Sequence, residues 1–149
     1  MPAGYAAIRP AGGPGGQVVL DISLLGETRV AAGSSVAALR SPRAMALLGF
    51  LLVHREAPQR REYVAGQFWP DSPQAQARAN LRRELHSLRA GLPEVSRWLT
   101  ADSGTLLWRL DPDCHLDVAV FEAAADAAEA ALAAGDPAAF RRASSIAWV

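Results

Sequence analysis

"ARANLRRELHSLRAGL" runs from Ala77 to Leu92 and holds four arginines and one histidine against a single glutamate, in a chain whose formal net charge is zero. Stepping about 100° per residue puts Leu81, Leu85, Leu88 and Leu92 in one narrow stripe, which must face a core. On the opposite side lie Gln76, Ala79, Arg83, His86 and Ser87. Arg82 and Arg89 take one shoulder, Asn80 the other, and Glu84 falls near the core edge. The outward face is basic and almost free of acid. Such a face is either the solvated side of an amphipathic core helix or a surface for a polyanion. The elements on either side decide which.

Upstream, "QVVLDISLLGETRVAAGSSVAAL" (17–39) is rich in Val, Leu and Ile and broken by Gly26, Gly33 and serines. It predicts two or three short strands with tight turns. "SPRAMALLGFLLVHRE" follows, with Ser41 as a cap, Pro42 in the first turn and a broad apolar face. "REAPQR" breaks that helix, and "RREYVAGQFW" predicts a short second one, stopped by Pro70. The third helix takes its cap from Asp71 or Ser72, carries Pro73 near its first turn, and ends at Gly91 and Pro93. Downstream, "RWLTADSGTLLWRL" holds two β-prone runs around Asp102, Ser103 and Gly104, a hairpin signal. The last segment predicts an alanine-rich helix to Ala134, a Gly135-Asp136-Pro137 turn and a second helix. Strands, three helices and a hairpin in that order favour an α+β winged helix-turn-helix with an N-terminal antiparallel sheet and a C-terminal β-hairpin wing, followed by a short α-helical hairpin. The third helix, 73–91, is then the recognition helix in the major groove.

Charge is unevenly spread. Residues 40–110 hold eleven arginines and six acids, whereas residues 111–149 hold two arginines and seven acids. A basic block followed by an acidic one fits a nucleic-acid module with a different appendage. Every basic residue is arginine, which a GC-rich coding sequence produces as readily as function does. A single cysteine, Cys114, excludes an internal disulfide and a cysteine-built zinc site. No run of about twenty apolar residues predicts a membrane span. "MPAGYAAIRPAGGPGG" lacks the order of a signal peptide and reads as a flexible tail over 1–16, so the expected location is the cytoplasm.

Four stretches together resemble the DNA-binding domain of SARP/AfsR-type bacterial transcriptional activators, an OmpR/PhoB-like winged helix. They are "LLG" at 24–26, "SPRAMALLGFLLVHREAP", "REYVAGQFWPD" and "ARANLRRELHSLRAGL". "WRLDPDCHLDVAVFEAA", with Asp117 and Phe121, resembles the opening of that family's helical bacterial transcriptional activation domain. The resemblance implies a winged-helix domain over 17–111 and a truncated activation domain over 112–149. It implies promoter binding on double-stranded DNA, often as a homodimer on direct repeats, and contact with RNA polymerase. It places Ala79, Arg82, Arg83 and His86 at base-facing positions and Arg89 nearer phosphate. The sequence departs from the family at the wing, where Leu107 and Trp108 replace a Gly-Tyr pair, and at Ala79, whose side chain cannot hydrogen-bond a base.

The expected base readers are Arg82, Arg83 and His86, with Asn80 helping from its shoulder, because arginine reads guanine and asparagine adenine through paired hydrogen bonds. Arg60, Arg61, Arg78 and Arg89 are expected on phosphates, with Ser103 and Thr105 of the wing on the flanking backbone. The competing reading is a winged-helix adaptor for another protein, or a regulator without independent DNA binding. An enzyme is not expected. His54, His86 and His115 are scattered, no metal spacing occurs, no cofactor is implied, and "GGPGG" lacks the Lys-Ser/Thr of a phosphate loop. Cys114 reads as an unreactive thiol in a link. Asp111 and Asp113 read as solvated turn residues. Phe68, Trp69, Trp98 and Trp108 read as core or near-core, and Trp148 as exposed.

Overall fold

Alternation builds the first strands. Leu20 and Ile22 are buried while Asp21 between them is exposed, which makes β1 (Leu20–Ser23). It pairs antiparallel with β2 (Arg29–Ala32), Leu20 opposite Ala32 and Ile22 opposite Val30. A tight turn with Gly33 at φ +61°, a conformation that disfavours any side chain, leads into β3 (Ser35–Val36). The structure, a computed structural model, describes residues 18–37 and 39–147. The tail expected over 1–16 and Trp148 lie outside the described residues.

Helix α1 (Pro42–Val53) opens as expected: the Ser41 hydroxyl accepts from the Ala44 amide at 3.2 Å and Pro42 fills the first position. Ala44, Leu47, Leu48, Leu51 and Leu52 are buried, the i, i+3, i+4 spacing of a helix pressed on a core. At its end His54 stacks on Phe50, with ring centroids 4.1 Å apart, and its Nδ1 lies 2.8 Å from the Phe50 carbonyl. Two residues, β4 (Gln59–Arg60), then precede α2 (Arg61–Phe68).

Helix α3 (Gln74–Gly91) buries Ala77, Leu81, Leu85 and Leu88, the stripe expected from the sequence. Its start differs from the expected side-chain cap at Asp71 or Ser72. Pro73 is the N-cap, with no side-chain bond, and the Ser72 amide is spent on the Trp69 carbonyl at 3.2 Å. The proline ring fixes φ at −53° and sets the helix entry by itself.

After a 3-10 turn (Val95–Arg97), β5 (Leu99–Ala101) and β6 (Thr105–Trp108) form the expected hairpin, Leu99 opposite Trp108. β6 also takes β4 on its other edge, Arg60 opposite Thr105, to give the order β4-β6-β5. The segment expected to be a link holds β7 (Cys114–Leu116), which joins the first sheet in the order β3-β2-β1-β7. The Leu20 amide donates to the Asp113 carbonyl at 2.7 Å. For that reason the first compact unit, Val18–His115, runs past residue 111, the expected domain end. Trp98 and Trp108 are each 1 % exposed, so both are core, whereas Phe68 and Trp69 are half-buried.

Leu116 and the residues after it belong to a second unit, which holds α4 (Asp117–Ala133) and α5 (Pro137–Ala147). The turn between them follows a Schellman pattern. Gly135, at φ +67°, donates to the Leu132 carbonyl at 3.1 Å and Asp136 to the Ala131 carbonyl at 3.0 Å. The Asp136 carboxylate then caps α5 by accepting from the amides of Ala138 and Ala139, both at 3.0 Å. Two sheets and five α-helices among the described residues make the chain a mixed α and β protein.

Candidate nucleic-acid interface

The buried leucine stripe of α3 fixes what the rest of the helix presents. With Leu81, Leu85 and Leu88 inward, Arg78, Arg82, Arg83, His86 and Arg89 are all exposed. Glu84, the one acid on the helix, is turned away: it accepts from the Ser41 hydroxyl at 2.7 Å, tying α3 to the start of α1. The N-cap serine of one helix therefore also takes the negative charge off the exposed side of another.

Arg61 begins α2 and is half-buried. Its guanidinium is held below the ordinary arginine value, first by burial and then by the positive charges of Arg89 and Arg82; Asp102 partly offsets them. The Nε of Arg61 is enclosed and has no hydrogen-bond partner. Arg61, Arg82 and Arg89 are thus drawn from two helices into one cluster of like charge. Arg82, Arg83 and Arg89 make no ion pair among the described residues. Arginine stays protonated under such crowding, so the cluster favours an incoming anion over loss of a proton.

The wing turn is built by Asp102. Its carboxylate accepts from the Gly104 amide at 2.7 Å, the Thr105 amide at 2.6 Å and the Thr105 hydroxyl at 2.9 Å. The two backbone donors and then the hydroxyl hold this carboxyl below its usual range. Thr105, expected on DNA backbone, therefore commits its proton to Asp102 and shapes the turn. Ser103 is exposed at the tip. The Arg61 amide donates to the Gly104 carbonyl at 2.9 Å, so the wing takes up one of the N-terminal donors of α2.

Not every expected contact residue is bare. Arg78 is paired with Glu62 of α2, and Arg60 lies 3.8 Å from the other oxygen of the same carboxylate. Asn80 is half-buried, and its side-chain oxygen accepts from Gln76 at 2.9 Å. The residues with uncommitted side chains are Arg82, Arg83, His86 and Arg89, with Ser103 on the wing. Sequence periodicity finds the first four. The clustering with Arg61 carries no local signal, because it depends on the packing of α2 against α3.

Asp111 and Asp113, expected from the sequence to be solvated, are structural. Asp111 accepts from the Trp98 indole at 2.9 Å and lies 2.8 Å from Arg97 Nε; Asp113 pairs with Arg97 as well. Cys114 is buried, and burial pushes its thiol up to about 11 against the opposing influence of the Trp108 indole. A thiol held there is a poor nucleophile. Among the described residues no group of three His, Cys, Asp or Glu side chains is placed to hold a metal, and no helix is long and apolar enough to cross a membrane.

Neither a protein-family profile nor a curated protein matches the sequence. The fold is similar to a solved structure of Mycobacterium tuberculosis EmbR in complex with a low-affinity phosphopeptide, with a TM-score of 0.67 and 26 % sequence identity. That likeness covers 89 % of this chain and 36 % of the EmbR chain, so the chain spans about a third of the protein it resembles.

Proposed function

We propose that the chain is a DNA-binding transcriptional regulator of winged helix-turn-helix type, with α3 in the major groove and the β5–β6 hairpin as the wing. The observation that carries this is the Arg61–Arg82–Arg89 cluster. It concentrates positive charge around an enclosed guanidinium nitrogen, and neither Arg82 nor Arg89 has an ion-pair partner among the described residues. The likeness to EmbR, a SARP-family regulator, supports the same reading. Arg82, Arg83 and His86 read base edges, and Asn80 joins them by releasing Gln76. Arg61 and Arg89 hold phosphate, Ser103 reaches the flanking backbone, and Arg60 and Arg78 join only by leaving Glu62. The helices from Leu116 onward supply the surface through which such a regulator reaches RNA polymerase or a second copy on direct repeats.

Selection of duplexes from a random pool at two salt concentrations tests this. An enriched motif bound less tightly as salt rises is the expected result. Arg83→Ala should then relax specificity at one base pair, with a loss of about 1–3 kcal/mol of discrimination. Arg89→Ala should weaken all sequences alike and reduce the salt slope by about one. Equal losses on the enriched and scrambled duplexes for Arg83→Ala would remove that residue from the base readers. A protein that enriches nothing, and tolerates reversal of Arg82, Arg83 and Arg89 to glutamate, is an adaptor. Val120, Phe121, Leu132, Phe140 and Ile146, all exposed on α4 and α5, favour that second reading.

A further inference from the structure

We propose that Glu62 is an internal counter-ion of the nucleic-acid face, withholding Arg78 and Arg60 from phosphate so that generic DNA affinity stays low and discrimination rests on the bare arginines. This rests on the DNA-binding reading above and names a residue that regulates the same site.

Glu62 sits in the first turn of α2, where an acid already suits the positive end of the helix. That role needs no partner. Yet its carboxylate gathers donors from two other elements. Oε1 takes Arg78 and lies 3.4 Å from the Gln74 side-chain amide, both in α3, while Oε2 is 3.8 Å from Arg60 of β4. The cluster is open to water: Arg60 is 79 % exposed at its side chain, Glu62 and Arg78 each 48 %. An open pair of this kind adds little to stability. Its larger effect is on what approaches from outside. A phosphate reaching Arg60 or Arg78 must displace a carboxylate already lying on both and then remain beside it.

The basic face therefore has two unlike parts. Around the start of α3, Arg60 and Arg78 share one acid. Farther along, Arg82, Arg83 and Arg89 make no ion pair among the described residues, and the acid that acts on Arg61, Asp102, has its oxygens filled by the wing turn. Phosphate contacts from Arg60 and Arg78 would strengthen binding to every sequence equally. Neutralising that pair in advance removes a sequence-blind contribution and leaves the contribution from base readers proportionately larger.

Glu62→Gln tests this on the full chain. It keeps the side-chain shape and removes the charge. Affinity for a scrambled duplex should rise roughly three- to tenfold near 0.1 M salt, and the logarithmic salt slope should steepen by about one. The ratio between enriched and scrambled duplexes should stay the same, because a freed phosphate contact strengthens both by one factor. Adding Arg78→Gln should cancel the gain. Arg78→Gln alone should cost the wild type far less scrambled-DNA affinity than Arg89→Gln does, and this comparison holds even if Glu62→Gln folds poorly. Elution from a heparin column, a sulfated polyanion without sequence, separates the two ideas. A later elution of Glu62→Gln that depends on Arg78, in a protein that enriches no duplex motif, keeps the counter-ion and discards DNA reading. Unchanged or earlier elution of a folded Glu62→Gln, or an Arg78→Gln loss as large as that of Arg89→Gln, overturns the proposal.

Discussion

Asp111 has three partners in the fold, one of them two residues away and the other two brought in from before the β5–β6 hairpin. The Trp98 indole and the Asp113 amide donate to Oδ1, each at 2.9 Å, and Arg97 Nε lies 2.8 Å from Oδ2. Burial works against ionisation of this carboxyl. The Trp98 and Asp113 donors and the Arg97 charge outweigh it and hold the group below the ordinary value of 3.8. A carboxyl depressed in the folded state contributes stability that is complete above its unfolded value and lost as pH falls through its folded one. Thermal unfolding followed between about pH 5 and pH 2 should therefore show the wild type losing stability with acid, and Asp111→Asn losing less of it. Identical pH profiles for the two proteins would mean that Asp111 is ionised as easily in the unfolded chain as in the fold. Residue-scale facts of this kind are legible in sequence only where they are local. Ser41 capping Ala44 can be anticipated because the two are three apart; Ser41 holding Glu84 across 43 residues cannot.

Period and punctuation make α1, α3 and the β5–β6 hairpin legible from residue order alone. β4 and β7 are not legible in that way, because these two- and three-residue strands have no period of their own and no hairpin turn joining them to the strand that completes them. β4 borrows its pairing from β6, and β7 from the sheet that holds β1. The same limit applies to the candidate site. The outward face of α3 follows from leucine spacing, whereas the capture of Arg78 by Glu62 and the crowding on Arg61 depend on how α2 lies across α3. The α4–α5 turn stands at the legible extreme, since Gly135, Asp136 and Pro137 each act within a few residues. A Cβ added at Gly135 meets nothing within 4 Å, so its substitution is felt only through the left-handed backbone. Gly135→Ala should cost the helical pair about 1–2 kcal/mol, the usual penalty for a side chain in that conformation. Helical circular dichroism on heating should show an earlier loss of α4–α5 signal, and an unaltered melt would mean that the turn relaxes into another cap.

On the scale of the whole chain, the split of charge seen in sequence changes once units replace segments. Asp111 and Asp113 belong with Arg97 in the unit Val18–His115, which holds twelve arginines and ten acids. Its basic character is therefore a property of one face and not of the unit, and long-range attraction to DNA should be modest. The two units also differ in what they bury. Val18–His115 encloses Trp98, Trp108 and a set of leucines from α1 and α3. Among the described residues of α4 and α5 the buried apolar side chains are Ala124, Ala131 and Ala143, while Leu132 is 69 % exposed and Phe140 40 %. Hydrophobic stabilisation scales with the apolar area removed from water, and a methyl group removes little. The cooperative opening energies of the two units should then be far apart. Amide hydrogen exchange on the full chain should find α1 and α3 protected at least about tenfold more strongly than α4 and α5, each tenfold corresponding to about 1.4 kcal/mol of opening energy. Adding a partner that covers Phe140 and Leu132 should raise protection in α4 and α5 and leave α1 unchanged. Equal protection across all four helices without a partner would show that the helical pair draws stability from something other than its own alanine contacts.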